Sequence, residues 1–147
     1  MSGSMERFDS VGVLGGGAWG TALALTAARA GRRTLLWGRD PETVRAIAEG
    51  RGNPRYLPGI RLDRSFAATG DLSVAADADM VIVAVPAQTT RALLAEAAPH
   101  LRPGVPLVLA AKGIEHGTRA LMTDVAAAEA PAARPAVLSG PSFADDV

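Results

Sequence analysis

Lys112 is the only lysine in a chain of 147 residues that also carries fourteen arginines. Most exposed basic positions accept either side chain, so the lysine that remains points to a site that needs a compact ammonium group, which the planar guanidinium of arginine does not imitate. Because Lys112 directly follows the apolar run 105–111, it lies at the end of an expected strand. A lysine kept by chance on a solvated edge is the alternative that the count alone leaves open.

A glycine pattern near the start of the chain predicts a phosphate-binding turn. Residues 15–20 (Gly-Gly-Gly-Ala-Trp-Gly) fit G-x-G-x-x-G between an expected strand and an expected helix. Gly15 permits a tight turn, Gly17 lets a pyrophosphate approach the backbone, and Gly20 lets the helix lie close to the sheet. The amides at the helix N-terminus then face the phosphates. A purely structural turn is the alternative, and Trp19 is either a hydrophobic anchor or a flat wall beside the cofactor.

The end of the second strand bears on the choice of cofactor. An NAD-selective site places a carboxylate there, about 20 residues beyond the glycines, to hold the ribose hydroxyls. Gly38 stands near that place, Arg39 follows it, and Asp40 is expected to cap the next helix. An arginine here donates two hydrogen bonds to a 2′-phosphate and stacks on adenine. We therefore expect NADPH as the cofactor, in preference to NADH.

Three further strand ends share the expected ligand edge with the glycine turn. In open α/β sheets the ligand lies beyond the carboxyl ends of the strands. Pro86 follows one apolar strand, Lys112 the next, and Gly140 and Ser142 the last. Lys112 would bind an anionic or carbonyl substrate, Gly140 would let backbone amides come close, and Ser142 would donate a hydrogen bond. Proline and glycine also punctuate ordinary turns, which is the structural alternative.

Composition argues against several other kinds of site and partner. The 15 basic and 15 acidic residues cancel, which removes the electrostatic argument for nucleic acid or an anionic membrane. The chain has no cysteine, and His100 and His116 are not arranged with carboxylates as a metal cluster, so no metal site is expected. The apolar runs are far shorter than the roughly 20 residues of a spanning helix, so membrane insertion is not expected. We expect a soluble cytoplasmic protein.

Alternating strand and helix patterns place these residues in an α/β fold, a Rossmann-type doubly wound parallel sheet. The expected domain covers residues 11–147 and follows a tag-like, disordered leader of residues 1–10. The run 80–85 is apolar on both faces, as a buried parallel strand requires. Strands are predicted at 11–14, 33–37, 80–85, 106–111 and 136–138, and helices at 21–30, from 41 onward, 71–77, 88–99 and 118–129.

The motifs together resemble those of the bacterial NAD(P)-dependent glycerol-3-phosphate dehydrogenases, from about Val11 to the last residue. The specific ones are AKGIE at 111–115 and LSGPSFA at 138–144, and NPRYLPG at 53–59 also matches. Members of this family reduce dihydroxyacetone phosphate to sn-glycerol 3-phosphate for glycerophospholipid synthesis. The resemblance implies cofactor contacts at Ala18, Trp19, Arg39, Tyr56, Lys112 and Ala144, and substrate contacts at Lys112, Gly140 and Ser142.

The length of the chain departs from the pattern of this family. Its members continue into a helical domain that supplies the proton-transferring lysine, whereas this sequence ends at Val147 with Lys112 as its only lysine. The resemblance therefore implies an N-terminal half that binds NADPH without turnover and holds no catalytic residue of its own. A homodimer of the intact protein is an open expectation. The alternatives are another reductase of this fold, of the ketopantoate or imine reductase type, and a non-catalytic nucleotide-sensing module.

The arginine after the second strand generates a prediction about cofactor choice. In a fluorescence titration, the chain is expected to bind NADPH more tightly than NADH, because Arg39 offers the 2′-phosphate a charge-assisted partner. An Arg39→Met variant should lose much of this difference and still bind NADH. Comparable affinities of the unaltered chain for the two dinucleotides would refute the preference.

Overall fold

The chain forms an open, all-parallel sheet covered by helices, as the sequence pattern predicts. A computed structural model describes residues 7–62 and 66–140. In these residues the strand order is β3-β2-β1-β4-β5-β6. The strands are Ser10–Leu14 (β1), Arg33–Trp37 (β2), Ala67–Thr69 (β3), Met80–Val83 (β4), Pro106–Leu109 (β5) and Arg134–Val137 (β6).

The helices bury the two faces of the sheet in separate apolar clusters. Val13 of β1 packs in one cluster with Leu25 and Ile47, whereas the next residue, Leu14, packs in the other with Leu94 and Val125. This alternation follows from the two-residue period of a strand. The helices are Ala18–Arg29 (α1), Pro41–Ala48 (α2), Leu72–Ala76 (α3), Ala87–Ala97 (α4) and Met122–Glu129 (α5), with a 3-10 turn at Ala98–His100 after α4.

The three central strands end at one level, and this level sets the edge at which a ligand would bind. Leu14 pairs with Val83, and Val83 pairs with Leu109. The predicted extensions of β4 to residue 85 and of β5 to residue 111 are wrong. β1 turns away at Gly15 and leaves β4 no partner on that side, and β5 in turn pairs with β4 only as far as Leu109. The last contacts are Ala84 N to Leu14 O at 2.8 Å and Ala110 N to Val83 O at 3.0 Å.

The largest error of the sequence prediction lies before α5. The helix was expected from residue 118 but begins at Met122. Gly117 and Arg119 have φ values of +82° and +60°, in the left-handed region that a helix does not contain. The segment instead closes on itself, since Ile114 and Leu121 form an antiparallel bridge.

The outer strands also differ from the prediction. β3 is absent from the predicted strands because its three residues are too few to show a strand period. The last strand begins at Arg134, not at 136, and includes Pro135, which an edge strand tolerates. Likewise, β1 begins at Ser10, one residue before the expected domain boundary. Met80 and Ile82 of β4 are half-buried, so this strand is fully buried on one face only.

Candidate functional site

The glycine turn between β1 and α1 packs so tightly that two of its glycines are required by the fold itself. Gly15 has a φ of +136°, and a Cβ at this position would overlap the carbonyl oxygen of Ala84. A Cβ at Gly20 would overlap the carbonyl oxygen of Gly15. The turn therefore brings α1 close to the ends of β1 and β4, which is the packing expected for the first and third glycines of the pattern.

Gly17 differs from these two glycines because nothing in the described chain requires it. Its φ is −75°, which every residue adopts, and no atom lies within 4 Å of the place that a Cβ would take. A side chain here would project into open space beside the helix N-terminus. The protein thus keeps room where a pyrophosphate would approach the backbone, and this room fits a dinucleotide.

The N-terminus of α1 lacks the carboxylate N-cap that α2 and α3 carry. Its N-cap is Gly17, without a side-chain hydrogen bond, and its first turn contains no acidic residue. Asp40 and Asp71, by contrast, cap α2 and α3. An uncapped N-terminus keeps free amide donors and the positive end of the helix dipole, so it suits an anion. Ala18 and Trp19 begin this helix, and the indole of Trp19 is half-buried.

Asn53 holds the glycine turn in place, a role that the sequence analysis missed. Its side chain is buried, with an exposed fraction of 1%. The amide nitrogen donates to the Gly16 carbonyl at 2.9 Å and to the Thr21 hydroxyl at 2.8 Å, while the amide oxygen accepts from the backbone of Tyr56. The Thr21 hydroxyl in turn donates to the carbonyl of Gly17. Asn-Pro within the NPRYLPG motif was the only signal, and it indicates a turn but not its partner.

Two charged residues, Arg39 and Asp40, follow the end of β2. Arg39 is exposed, and its guanidinium carbon lies 6.0 Å from the centre of the Trp37 ring; within the described residues no carboxylate pairs with it. The Asp40 side chain accepts hydrogen bonds from the backbone amides of Glu42 and Thr43, which confirms the predicted helix cap. Hydrogen bonds, above all the one from the Thr43 hydroxyl, hold the pKa of the Asp40 carboxyl below its ordinary value.

Lys112 and Gly140 line one cavity of about 480 Å³ between the ends of β5 and β6. This volume lies in the range of small-molecule sites. The ammonium group is exposed, and no carboxylate of the described residues pairs with it. Gly113, next in the chain, has a φ of +111° and thereby turns the backbone away from the strand. Apolar side chains at the start of α5 and the end of β6, such as Leu121 and Val137, form part of the remaining walls.

A buried carboxylate anchors the loop that carries Lys112. Glu115 is 9% exposed, and its two oxygens accept from the Arg91 guanidinium of α4 at 2.7 and 2.8 Å. The same guanidinium donates to Glu129 of α5, and the Thr118 hydroxyl donates to Glu115. Hydrogen bonds from Arg91 and then from Thr118 lower the pKa of the Glu115 carboxyl to about 2. The loop after β5 is thus tied to two helices by charge.

The structure brings most of the predicted site residues to one edge of the sheet. The glycine turn, Arg39, Lys112 and Gly140 follow the carboxyl ends of β1, β2, β5 and β6, and Pro86 follows β4 as the N-cap of α4. Tyr56 is tied to this edge through Asn53 and has an exposed fraction of 42%. Ser142 and Ala144 lie outside the described residues.

The described residues contain neither a cluster of metal ligands nor a membrane-spanning helix. No group of three or more histidine, cysteine, aspartate or glutamate side chains there could hold a metal ion. No helix in the same part of the chain is long and apolar enough to cross a membrane. His100 and His116 are both exposed.

Comparison with known proteins agrees with the arrangement of this edge. Residues 10–147 match the family model described as the N-terminus of NAD-dependent glycerol-3-phosphate dehydrogenase. The chain belongs to this family. It is 59% identical over 143 residues to a glycerol-3-phosphate dehydrogenase [NAD(P)+] of Azorhizobium caulinodans, with 97% of this chain and 44% of that relative covered. A relative of the same name from Paramagnetospirillum magneticum is 58% identical over 137 residues, with 93% and 50% covered.

Solved structures agree with the family assignment. A glycerol-3-phosphate dehydrogenase from Coxiella burnetii superposes with a TM-score of 0.86 at 30% identity, covering 95% of this chain and 43% of that protein. A ketopantoate reductase from Ralstonia eutropha superposes with a TM-score of 0.67 at 21% identity, covering 87% and 40%, and so shares the fold alone. The glycerol-3-phosphate dehydrogenase family is thus favoured over the other reductases of this fold. The chain spans less than half the length of the Azorhizobium relative.

The open space at Gly17 generates a prediction about dinucleotide binding. A Gly17→Ala variant should fold with nearly unchanged stability, because the methyl group meets no protein atom, yet bind NADPH at least about tenfold more weakly because it occupies the place of the phosphates. A fluorescence titration measures the affinity, and thermal unfolding measures the stability. Unchanged NADPH affinity in a folded variant would show that the space serves no ligand.

The cluster around Glu115 generates a prediction about pH. The folded-state pKa of about 2 lies below the ordinary 4.5, so the charged carboxylate stabilises the fold fully above pH 4.5, and this contribution is lost as the pH falls toward 2. Glu115→Gln should therefore lower the thermal midpoint most above pH 5, with the difference from the unaltered chain narrowing in acid. Glu49→Gln is the matched control, since the exposed pair of Glu49 with Arg51 contributes little. A pH-independent difference between Glu115→Gln and the unaltered chain would contradict the charged cluster.

Proposed function

We propose that the chain is the dinucleotide-binding half of an enzyme that interconverts dihydroxyacetone phosphate and sn-glycerol 3-phosphate with NADPH. One observation carries this proposal: an uncapped, carboxylate-free glycine turn and the only lysine of the chain lie on the same edge of a parallel sheet. The turn suits a pyrophosphate, and the lysine suits a phosphorylated ketone. Family membership favours the same reaction, since the relatives are glycerol-3-phosphate dehydrogenases by name.

The cofactor side of the proposed site begins with the glycine turn. Gly15, Gly17 and Gly20 form the turn, and the amides of Ala18 and Trp19 face the pyrophosphate from the start of α1. The Trp19 indole then forms a wall beside the cofactor.

Arg39 binds the 2′-phosphate, and Tyr56 borders the adenosine end. Pro86 turns the chain away from the nicotinamide riboside, and Lys112 and Ala144 complete the set.

The substrate side consists of Lys112, Gly140 and Ser142. The ammonium group of Lys112 binds the phosphorylated ketone and stabilises negative charge that develops on its carbonyl oxygen. Gly140 has a φ of +127° and no side chain, so backbone amides next to it can approach the substrate. The hydroxyl of Ser142 donates a further hydrogen bond. A loop anchored through Glu115 keeps Lys112 in place during these contacts.

NADPH, when bound, supplies the hydride for reduction of the ketone. The residues of this chain orient the two reactants and hold charge, and the proton must come from another group. Lys112 is occupied as the substrate clamp, and the sequence contains no second lysine. We place the proton-transferring lysine in the part of the longer relatives that this chain does not match.

Two finer expectations belong to the same proposal. The intact protein acts in the cytoplasm, where glycerol 3-phosphate is needed as a backbone for glycerophospholipids, and it forms a homodimer. Its reaction partner is a small phosphorylated molecule and not a nucleic acid, since basic and acidic residues balance.

Cofactor binding without turnover tests the proposed function. The 147-residue chain should bind NADPH and yet leave its absorbance unchanged after dihydroxyacetone phosphate is added. The same chain extended by its downstream coding sequence should oxidise NADPH, and Lys112→Met in the extended protein should lower kcat/KM for dihydroxyacetone phosphate at least about a hundredfold. Turnover by the unextended chain would contradict our placement of the proton-transferring lysine outside this chain. Failure of both forms to bind NADPH would overturn the proposed function.

A further inference from the structure

Asp40 stands one residue after Arg39, close to where a carboxylate selects NADH in other sites of this fold. An acid there would repel a 2′-phosphate. In this structure, however, the side chain is already engaged by the amides of Glu42 and Thr43 at 3.2 and 3.3 Å and by the Thr43 hydroxyl at 2.7 Å. These contacts leave little acceptor capacity for ribose hydroxyls, but they do not remove the negative charge.

Arg55 supplies the missing counter-charge. Its Nη1 lies 3.1 Å from Oδ2 of Asp40, and its guanidinium carbon lies 5.1 Å from the centre of the Tyr56 ring. The Tyr56 amide is held by Asn53, which also binds the glycine turn at Gly16. The backbone that carries Arg55 is therefore tied to the turn, while its side chain reaches the end of β2.

The pair is accessible enough to take part in binding. The side chain of Arg55 is 63% exposed and that of Asp40 is 31% exposed. An exposed ion pair of this kind holds its partners weakly. A phosphate monoester carries a charge of about −2 and three acceptor oxygens, so it competes well for a guanidinium beside a single carboxylate. Arg55 can thus contact the phosphate while it stays next to Asp40.

We propose that Arg55 is a second cation of the 2′-phosphate site, which neutralises Asp40 and thereby makes the position after β2 selective for NADPH. This inference rests on the proposed function. It assigns to residues 39, 40 and 55 a charge pattern of cation, acid and cation, in which the acid caps α2 and does not bind ribose. Arg39 by itself would face a phosphate with an unmasked carboxylate beside it.

Two substitutions of opposite expected sign test the role of Arg55. Arg55→Met keeps an aliphatic stem on the Tyr56 ring and should weaken NADPH binding roughly tenfold, with NADH affinity changed less than about twofold. Asp40→Asn keeps a good helix cap and should tighten NADPH binding by roughly twofold or more. The double variant should recover part of the NADPH affinity that Arg55→Met loses. Fluorescence titration with each dinucleotide at fixed ionic strength gives all eight affinities.

A purely structural pair would behave differently. If the ion pair only held the loop, Arg55→Met and Asp40→Asn would both weaken NADH and NADPH to the same degree, and this result would overturn the proposal. Arg51→Met is the matched control, because Arg51 is half-exposed in the same loop and pairs with Glu49 at 2.8 Å. An equal loss of NADPH affinity in this control would show that the weaker binding of Arg55→Met reflects only the overall charge of the loop, and would also overturn the role assigned to Arg55.

The outcome also separates this inference from the proposed function. Normal NADPH binding by the unaltered chain, with the same NADPH-to-NADH ratio in Arg55→Met, would remove only the role of Arg55. Binding of neither dinucleotide by the unaltered chain would remove the proposed function and this inference with it.

Discussion

Close contact between the glycine turn and the end of β4 is the constraint on which the remainder of the structure depends. Gly15 passes so near the carbonyl of Ala84 that only glycine fits, and Gly20 passes even nearer to the carbonyl of Gly15. With β1 turned away at this point, β4 loses its partner on that side, and β5, which pairs with β4, ends at the same level. The strand order also reverses between β1 and β4, which opens a crevice where ligands of this fold bind. One steric contact thus determines where the sheet stops and where the site begins.

The two sides of the site are held by different forces. On the cofactor side, Asn53 and Thr21 fix the turn by neutral, buried hydrogen bonds. On the substrate side, the loop of Lys112 is fixed by the ion cluster of Arg91 with Glu115 and Glu129. Breaking a partly buried ion pair leaves an uncompensated charge, so the second arrangement is the more sensitive one to acid and to substitution. The neutral hydrogen bonds of the turn are expected to be indifferent to pH.

Local patterns predicted most of the elements but not their limits. The glycine turn, the Asp40 cap of α2 and the buried strands follow from neighbours in the chain, so their residues suffice to predict them. The start of α5 does not, because Gly117 and Arg119 adopt left-handed conformations that the bridge between Ile114 and Leu121 supports. The ends of β4 and β5 likewise depend on a different strand, since a strand continues only where it has a partner to bond with.

Sequence by itself determined the family and predicted the kind of site. An apolar run followed by Lys112, and a glycine pattern followed by a helix, are local signals whose meaning does not depend on distant residues. Only the tertiary structure decided the partners of the charges. Arg55 meets Asp40 across 15 residues, Arg91 meets Glu115 across 24, and the Asn53 amide meets the Gly16 carbonyl across 37. With fourteen arginines and fifteen acids in the chain, many pairings satisfy charge equally well. The pairs that form are those that the fold brings within a few ångströms, because a charge-assisted hydrogen bond needs that contact.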